Sequence, residues 1–249
     1  MSGHSKWSTI KRKKEKTDNQ RAKIFTKIGR EIAVVVREGG PDPASNSKLK
    51  DVIAKAKANN VPNDNIDRVI KKALGETDVV YEEIYYEGYG PSGVAVIVYT
   101  TTDNRNRTAS EMRHYFDKFG GNLGQTGCVS YLFADKGVII IADDEDAKEK
   151  IDEDKLMEDA LEAGAGDFVC ETPGIYEIYT EPADLGAVRE ELEAKGYKIE
   201  SAELDKIPST YVELSDPDDI KHMNLLLEHL EDNDDVQDVY HNWENADEE

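Results

Sequence analysis

Val94-Ala95-Val96-Ile97-Val98-Tyr99 is apolar at every position. A strand with one wet face alternates apolar and polar residues, whereas a strand without a polar position is covered on both faces. The run therefore marks a central strand, spanning 93–102, next to a strand at 79–89 across Gly90-Pro91-Ser92. Asp103 or Asn104 can cap a helix at 104–119, whose Ala109, Met112, Phe116 and Phe119 form one stripe. Gly120-Gly121-Asn122-Leu123-Gly124 reads as a loop, and 128–133 as a further strand.

Downstream the order is strand 137–142, helix 153–164, strand 167–172, strand 175–180, helix 183–195 and strand 197–204. That is βαββαβ, the ferredoxin-like split unit, with its hairpin turn at Thr172-Pro173-Gly174. Leu185, Val188 and Leu192 mark the inner stripe of its second helix. The chain then adds strand 210–214, helix 217–231, with Ile220, Met223, Leu227 and Leu230 inward, and strand 235–240. The middle unit is complete in itself, while the elements on either side of it need partners. The economical arrangement is an insertion.

Upstream of the central strand the period is helical. A helix at 18–38 turns Ile24, Ile28, Ile32, Val35 and Val36 inward and ends at Gly39-Gly40-Pro41. Helices at 44–60 (Leu49, Val52, Ile53, Ala56 inward) and 63–74 (Ile66, Val69, Ile70, Ala73 inward) complete a small bundle closed by Gly75. The expected fold is α+β and multidomain. Residues 1–75 form a basic three-helix domain with an N-terminal arm, and 76–133 plus 206–241 form an α+β domain. The ferredoxin-like domain, 134–205, is inserted into the latter, and 242–249 is an acidic tail.

Charge follows the same division. Residues 1–75 carry 18 Lys+Arg against 8 Asp+Glu, whereas 76–249 carry 13 against 45, giving +10 and −32 within the total of −22. A basic head on an acidic body is the charge pattern of a polyanion binder: the head displaces counterions, and the body limits how the protein lies down. The strongest signal is the arm, where Lys6, Lys11, Arg12, Lys13 and Lys14 accompany Trp7, whose indole can stack on an exposed base. The cationic face continues with Lys23, Lys27 and Arg30 on the first helix, a pattern that any solvated helix also shows. A second candidate is Thr102–Thr108, which places Arg105 and Arg107 at a helix N-terminus, where the dipole favours anions. The alternative there is that the arginines bridge to carboxylates such as Glu111.

Other chemistry has little support. Cys128 and Cys170 lack a CxxC spacing and read as small hydrophobes in strands, which fits a reducing compartment. The five histidines include no metal-ligating pair, and Asp143-Asp144-Glu145-Asp146 lacks the EF-hand spacing. There is no GxSxG or Walker A, and Gly88-Tyr89-Gly90-Pro91-Ser92-Gly93, though spaced as GxGxxG, reads as a strand-turn-strand and not a strand-to-helix phosphate loop; no nucleophile has a base beside it. No enzyme activity, cofactor, metal or small-molecule substrate is expected. No window of 18 apolar residues occurs, and the first residues have neither the apolar stretch of a secretory signal nor a glycine at position 2 for myristoylation. A cytoplasmic protein that does not use a membrane is expected.

Gly3-His4-Ser5-Lys6-Trp7 resembles the start of the YebC family, whose mitochondrial members are translational activators of cytochrome oxidase. Further matching stretches are Lys23–Lys27, Asn60–Ile66, Tyr86–Pro91, Thr102–Thr108, Gly121–Gly124, Ile207–Thr210 and Asp235–Asn242, in order along nearly the whole chain. Cys128 stands where the family tends to have a small residue such as Ser, and Val61 where Met is frequent. With no transit peptide before this start, the chain is similar to bacterial members. The resemblance implies a helical domain followed by two α+β domains, and a nucleic-acid-binding role in gene expression. Some members are labelled transcriptional regulators that bind DNA; others act in translation and relieve ribosome stalls at proline-rich stretches. A lysine-rich arm with a Trp suits structured RNA better than a base-reading helix in duplex DNA. The favoured partner is therefore rRNA or tRNA on the ribosome, with double-stranded DNA as the alternative. An adaptor that binds protein through its acidic domains is a further alternative.

Overall fold

The computed structural model describes residues 18–75, 80–143 and 150–246. These hold seven α-helices and two four-stranded sheets, an α+β fold with a helical N-terminal region. The chain divides into two compact units. One is Ala134–Ile207; the other comprises the described residues of Lys16–Phe133 and Pro208–Glu249.

The larger unit begins with helices α1 (Asp18–Gly39), α2 (Ser47–Ala58) and α3 (Asn63–Leu74). Their inward stripes meet in one core built on Ile28, Ile32, Val35, Leu49, Val52, Ala56 and Ile66. Asn46 fixes the first corner. Its Oδ1 accepts from the Leu49 amide at 3.1 Å, capping α2, while its Nδ2 donates to the Val35 and Gly40 carbonyls at 2.8 Å each. A buried amide satisfied on both sides ties the end of one helix to the start of the next.

Strands β1 (Glu82–Tyr89) and β2 (Ala95–Thr102), helix α4 (Arg105–Lys118) and the two-residue strand β3 (Asn122–Leu123) follow. The same unit is completed by α7 (Pro217–Asp232) and β8 (Val236–His241). The sheet order is β3-β1-β2-β8, all antiparallel, with β2 inside. Val96 and Val98 pack on Met112 and Phe116 of α4 and on Met223, Leu226 and Leu230 of α7. Ala95 and Ile97 face the other way, onto Val129. The wholly apolar run is thus covered on both faces, as expected. Gly88 admits β3 and α4 to the sheet, because a Cβ there would lie 2.6 Å from the Asn122 carbonyl oxygen and 2.8 Å from the Phe116 ring.

The smaller unit holds β4 (Phe133–Ala142), α5 (Glu153–Glu162), β5 (Asp167–Val169), β6 (Ile175–Thr180), α6 (Leu185–Ala194) and β7 (Ile199–Pro208). Its sheet order is β5-β6-β4-β7. The last strand therefore lies beside the first, as the split βαββαβ unit requires. Ile139, Ile141 and Ile178 pack under Leu156 of α5 and Val188 and Leu192 of α6. Val138 and Ile140 pack on the opposite face with Tyr179 and Ile207.

Two expected strands are not formed. At 128–133 the chain instead makes a 3-10 turn, Ser130–Leu132. The amides of Gly127, Val129 and Ser130, which a ladder would use, donate to the Glu87 carboxylate at 2.8, 2.9 and 2.9 Å. At 210–214 only one bridge remains, Val212 to Trp243. There side-chain amides replace the ladder: Asn242 Nδ2 donates to the Thr210 carbonyl at 3.0 Å, and the Asn245 side chain pairs with both backbone groups of Leu214 at 3.0 and 2.9 Å. The expected loop at 120–124 contains β3.

Candidate nucleic-acid interface

The arm residues Lys6, Trp7, Lys11, Arg12, Lys13 and Lys14 lie outside the described residues. The remaining candidates, Lys23, Lys27, Arg30, Arg105 and Arg107, all fall in the larger unit.

Lys23, Lys27 and Arg30 do share a face of α1, and that face is docked. Lys23 Nζ pairs with the Asp232 carboxylate and donates to the Asp232 carbonyl at 3.3 Å. Lys27 Nζ donates to the Glu231 carbonyl at 2.7 Å. Arg30 Nη1 donates to the Asp234 carbonyl at 2.8 Å and to Asp235 Oδ1 at 2.7 Å. Three cations thus meet the last carbonyls of α7 and the acidic turn after it, where the helix dipole is negative. The spacing that suits phosphates equally suits a helix C-terminus, and here the chain supplies one itself. Lys55 of α2 continues the contact, reaching Glu31 at 3.1 Å and Asp238 of β8 at 3.5 Å.

Asp235 is the centre of this arrangement and is 3% exposed. While Oδ1 takes Arg30, Oδ2 takes Arg107 at 2.7 Å and the hydroxyls of Thr108 and Thr102 at 2.7 and 3.1 Å. Burial by itself would raise this carboxyl, but hydrogen bonds from Arg107, Thr108 and Arg30 outweigh it and hold it below the ordinary carboxylate value. Its amide donates to Asn233 Oδ1 at 2.8 Å, and its carbonyl accepts from the Thr101 amide at 2.8 Å.

The Thr102–Thr108 segment is built around the same carboxylate. Asn104 caps α4, accepting from the Arg107 amide at 3.1 Å, and its own amide donates to Thr102 Oγ1 at 2.9 Å. Arg107 bridges Asp235 and Asp103, which lies at 3.0 Å, so it does pair with carboxylates, though not with Glu111. Glu111 instead accepts from Asn233 at 2.8 Å. Arg105 occupies the first turn of the same helix and is exposed. Both arginines are exposed, but Arg107 is tied to two carboxylates of the chain.

Nothing in the periodicity marked Asp235 or Glu87, since a buried acid breaks no pattern of apolar spacing. Glu87 is 4% exposed, and the three amides it accepts hold it below its ordinary value although burial alone would raise it. Cys128 and Cys170 are half-buried free thiols, each pushed up chiefly by burial, the opposite of what activates a nucleophile. Among the described residues no three His, Cys, Asp or Glu side chains cluster to hold a metal, and no helix is long and apolar enough to cross a membrane.

Comparison with known proteins divides the chain where its charge does. Residues 5–76 match the TACO1/YebC protein N-terminal domain, and 81–243 match the TACO1/YebC second and third domain. The chain belongs to the TACO1/YebC family. A probable transcriptional regulatory protein of Acetivibrio thermocellus is 62% identical over 244 residues, covering 98% of this chain and 99% of that one. One of the same description from Ruminiclostridium cellulolyticum is 63% identical over 249 residues, covering 100% and 98%. The crystal structure of a conserved hypothetical protein from Aquifex aeolicus is 48% identical, covers 92% of both chains and superposes with a TM-score of 0.81. Within the TACO1/YebC family, the basic head is thus a domain with its own match.

Proposed function

We propose that this protein is a nucleic-acid-binding regulator of gene expression that works in the cytoplasm on structured RNA of the translation machinery, rRNA or tRNA on the ribosome. One observation carries the reading: the excess of positive charge coincides with a helical module that has its own hydrophobic core. Charge confined to one module brings that module to a polyanion and holds the acidic remainder off it. Relatives described as probable transcriptional regulatory proteins support a role in gene expression. The Trp and lysines of the arm favour unpaired bases over a duplex groove. Relief of stalling at proline-rich stretches is the finer role that the family resemblance suggests. Burial raises both thiols, which argues against a cysteine nucleophile.

The relatives' description favours a second reading, a regulator on double-stranded DNA. Sedimentation of a lysate through sucrose, with RNase-treated and DNase-treated controls, separates the two. Co-migration with ribosomes that is lost on RNase but not on DNase treatment supports RNA. DNase-sensitive association away from ribosomes supports DNA, and association that survives both nucleases points to a protein partner. Replacing Lys11, Arg12, Lys13 and Lys14 with Ala should weaken binding across sequences and flatten its dependence on salt. An unchanged slope would exclude the arm.

A further inference from the structure

The cationic face of α1 is occupied by the end of α7, and that end has an unusual composition. Glu231-Asp232-Asn233-Asp234-Asp235 brings four acids into five residues at and just beyond the helix C-terminus. The helix dipole is negative there, so acids at this position are locally unfavourable. Docking α1 does not require them, because the carbonyls of Asp232, Glu231 and Asp234 already accept from Lys23, Lys27 and Arg30 at 3.3, 2.7 and 2.8 Å. The carboxylates add a second oxygen: Asp232 offers one to Lys23, and Asp235 offers one to Arg30 at 2.7 Å. Each of these two cations therefore holds a pair of oxygens, as it would on a phosphodiester with its two non-bridging oxygens. Glu231 and Asp234, both exposed, add repulsion against an approaching phosphate.

The contact is graded from centre to rim. At its centre Arg30 and Asp235 form a largely buried pair, which is costly to break. At its rim the Lys23 and Asp232 side chains are 41% and 70% exposed, and a pair so open to water is close to neutral. Lys23 and Lys27 lie one turn apart on the same face, each on a flexible stem. They can change partners while Arg30 keeps the helical module in place. We infer that the acidic end of α7 is a built-in competitor, which holds Lys23 and Lys27 and yields them to the phosphates of a nucleic acid. The inference rests on the nucleic-acid reading above and adds how that binding is regulated. A competitor on the same chain acts at high effective concentration, so only a ligand that brings phosphates to the rim displaces it.

The test is binding of the full chain to a labelled single-stranded RNA and to a labelled DNA duplex of equal length, across a salt series. Four proteins form a cycle: the unaltered chain, Asp232→Asn with Asp234→Asn, Lys23→Gln with Lys27→Gln, and all four substitutions together. Asparagine and glutamine keep the shape and the hydrogen-bonding capacity of the contact, and thermal melting first establishes that each protein is folded. The aspartate variant should bind about 5- to 10-fold more tightly at low salt, the low end of coupling between competing sites. The lysine variant should bind more weakly, with a salt slope reduced by about 1.4 on the single strand, the value for two lost phosphate contacts. In the fourfold variant the gain should disappear, because the lysines that the acids release are gone. No gain in the aspartate variant overturns the competitor, as does a salt slope unchanged in the lysine variant. A gain that persists without the lysines also overturns it, since that is relief of general repulsion by the acidic body. Each of these results leaves the broader reading intact. Failure of all four proteins to bind either nucleic acid overturns the broader reading itself.

Discussion

Arg30 and Arg107 hold opposite oxygens of the same carboxylate, each 2.7 Å from Asp235, the first on Oδ1 and the second on Oδ2. Arg30 comes from the helical module and Arg107 from α4, so one acid joins the basic head to the sheet. With the carboxylate side chain 4% exposed and Arg30 at 18%, solvent does little to replace either partner. Asp235→Ala would leave Arg30 without its carboxylate and the hydroxyls of Thr102 and Thr108 without their shared acceptor. Removing one member of a buried pair costs about 3–5 kcal/mol. Urea unfolding should show a loss of that order for Asp235→Ala and a smaller one for Asp235→Asn, which keeps one acceptor. A change within about 0.5 kcal/mol, the range of ordinary surface substitutions, would mean that the junction does not depend on this residue.

The same carboxylate sets a dependence on pH. Asp235 and Glu87 both lie below their ordinary values when folded, because hydrogen bonds to the charged form outweigh burial. The folded state therefore binds fewer protons than the unfolded chain once the pH falls into the carboxylate range. Their contribution is complete above the ordinary value of about 4 and is lost as the pH drops through the lowered folded values. Unfolding free energy followed from pH 7 downward should show little change from these two groups until about pH 5, then decline. Asp235→Asn should make that decline shallower. An equally steep decline in the variant would assign the acid sensitivity to other groups.

The sequence was legible wherever periodicity carries the structure. Val94–Tyr99 is covered on both faces, the stripes of α1 and α2 form their core, and the βαββαβ order gives its sheet. It was not legible where a side chain does the work of the backbone, as Glu87 does for 127–130 and Asn245 does for Leu214. Spacing rules do not register an acceptor that arrives from 40 residues earlier in the chain. The charge split at Gly75 was likewise legible, but the destination of Lys27 was not, since its acceptor, Glu231, is 204 residues away. A cationic helix face looks the same whether it meets a phosphate or the carbonyl end of another helix.

Close packing at Gly88 gives a prediction with an internal control. A Cβ there meets the Asn122 carbonyl at 2.6 Å and Phe116 at 2.8 Å, and neither a strand backbone nor a core ring yields cheaply. Gly88→Ala should destabilise by about 1–3 kcal/mol, a fall in Tm of several degrees for a chain of this size. Gly29, inside α1, is the contrast: a Cβ there would sit 3.7 Å from Val69, an ordinary contact. Gly29→Ala should be neutral or stabilising by up to about 1 kcal/mol, since alanine loses less backbone freedom in a helix. Equal effects of the two substitutions would show that β3 and α4 do not approach the sheet as closely as described.

Glu87 offers the sharpest test of how the loop after β3 is held. Oε1 accepts from the Gly127 amide, and Oε2 accepts from those of Val129 and Ser130, so both oxygens are needed as acceptors. Glu87→Gln preserves the shape but turns one oxygen into a donor, which must then face at least one amide N–H. An unsatisfied buried donor costs about 1–3 kcal/mol, and the cost falls on the loop before it reaches the sheet. Hydrogen exchange should therefore accelerate at Gly127, Val129 and Ser130 in the variant while Val96 and Val98 in β2 keep their protection. Glu87→Ala, which removes all three acceptor contacts, should accelerate the loop further and lower the melting temperature as well. Unchanged exchange at the three amides in both variants would mean that the turn at Ser130–Leu132 is set by its own backbone and by the packing of Val129, not by the carboxylate beneath it.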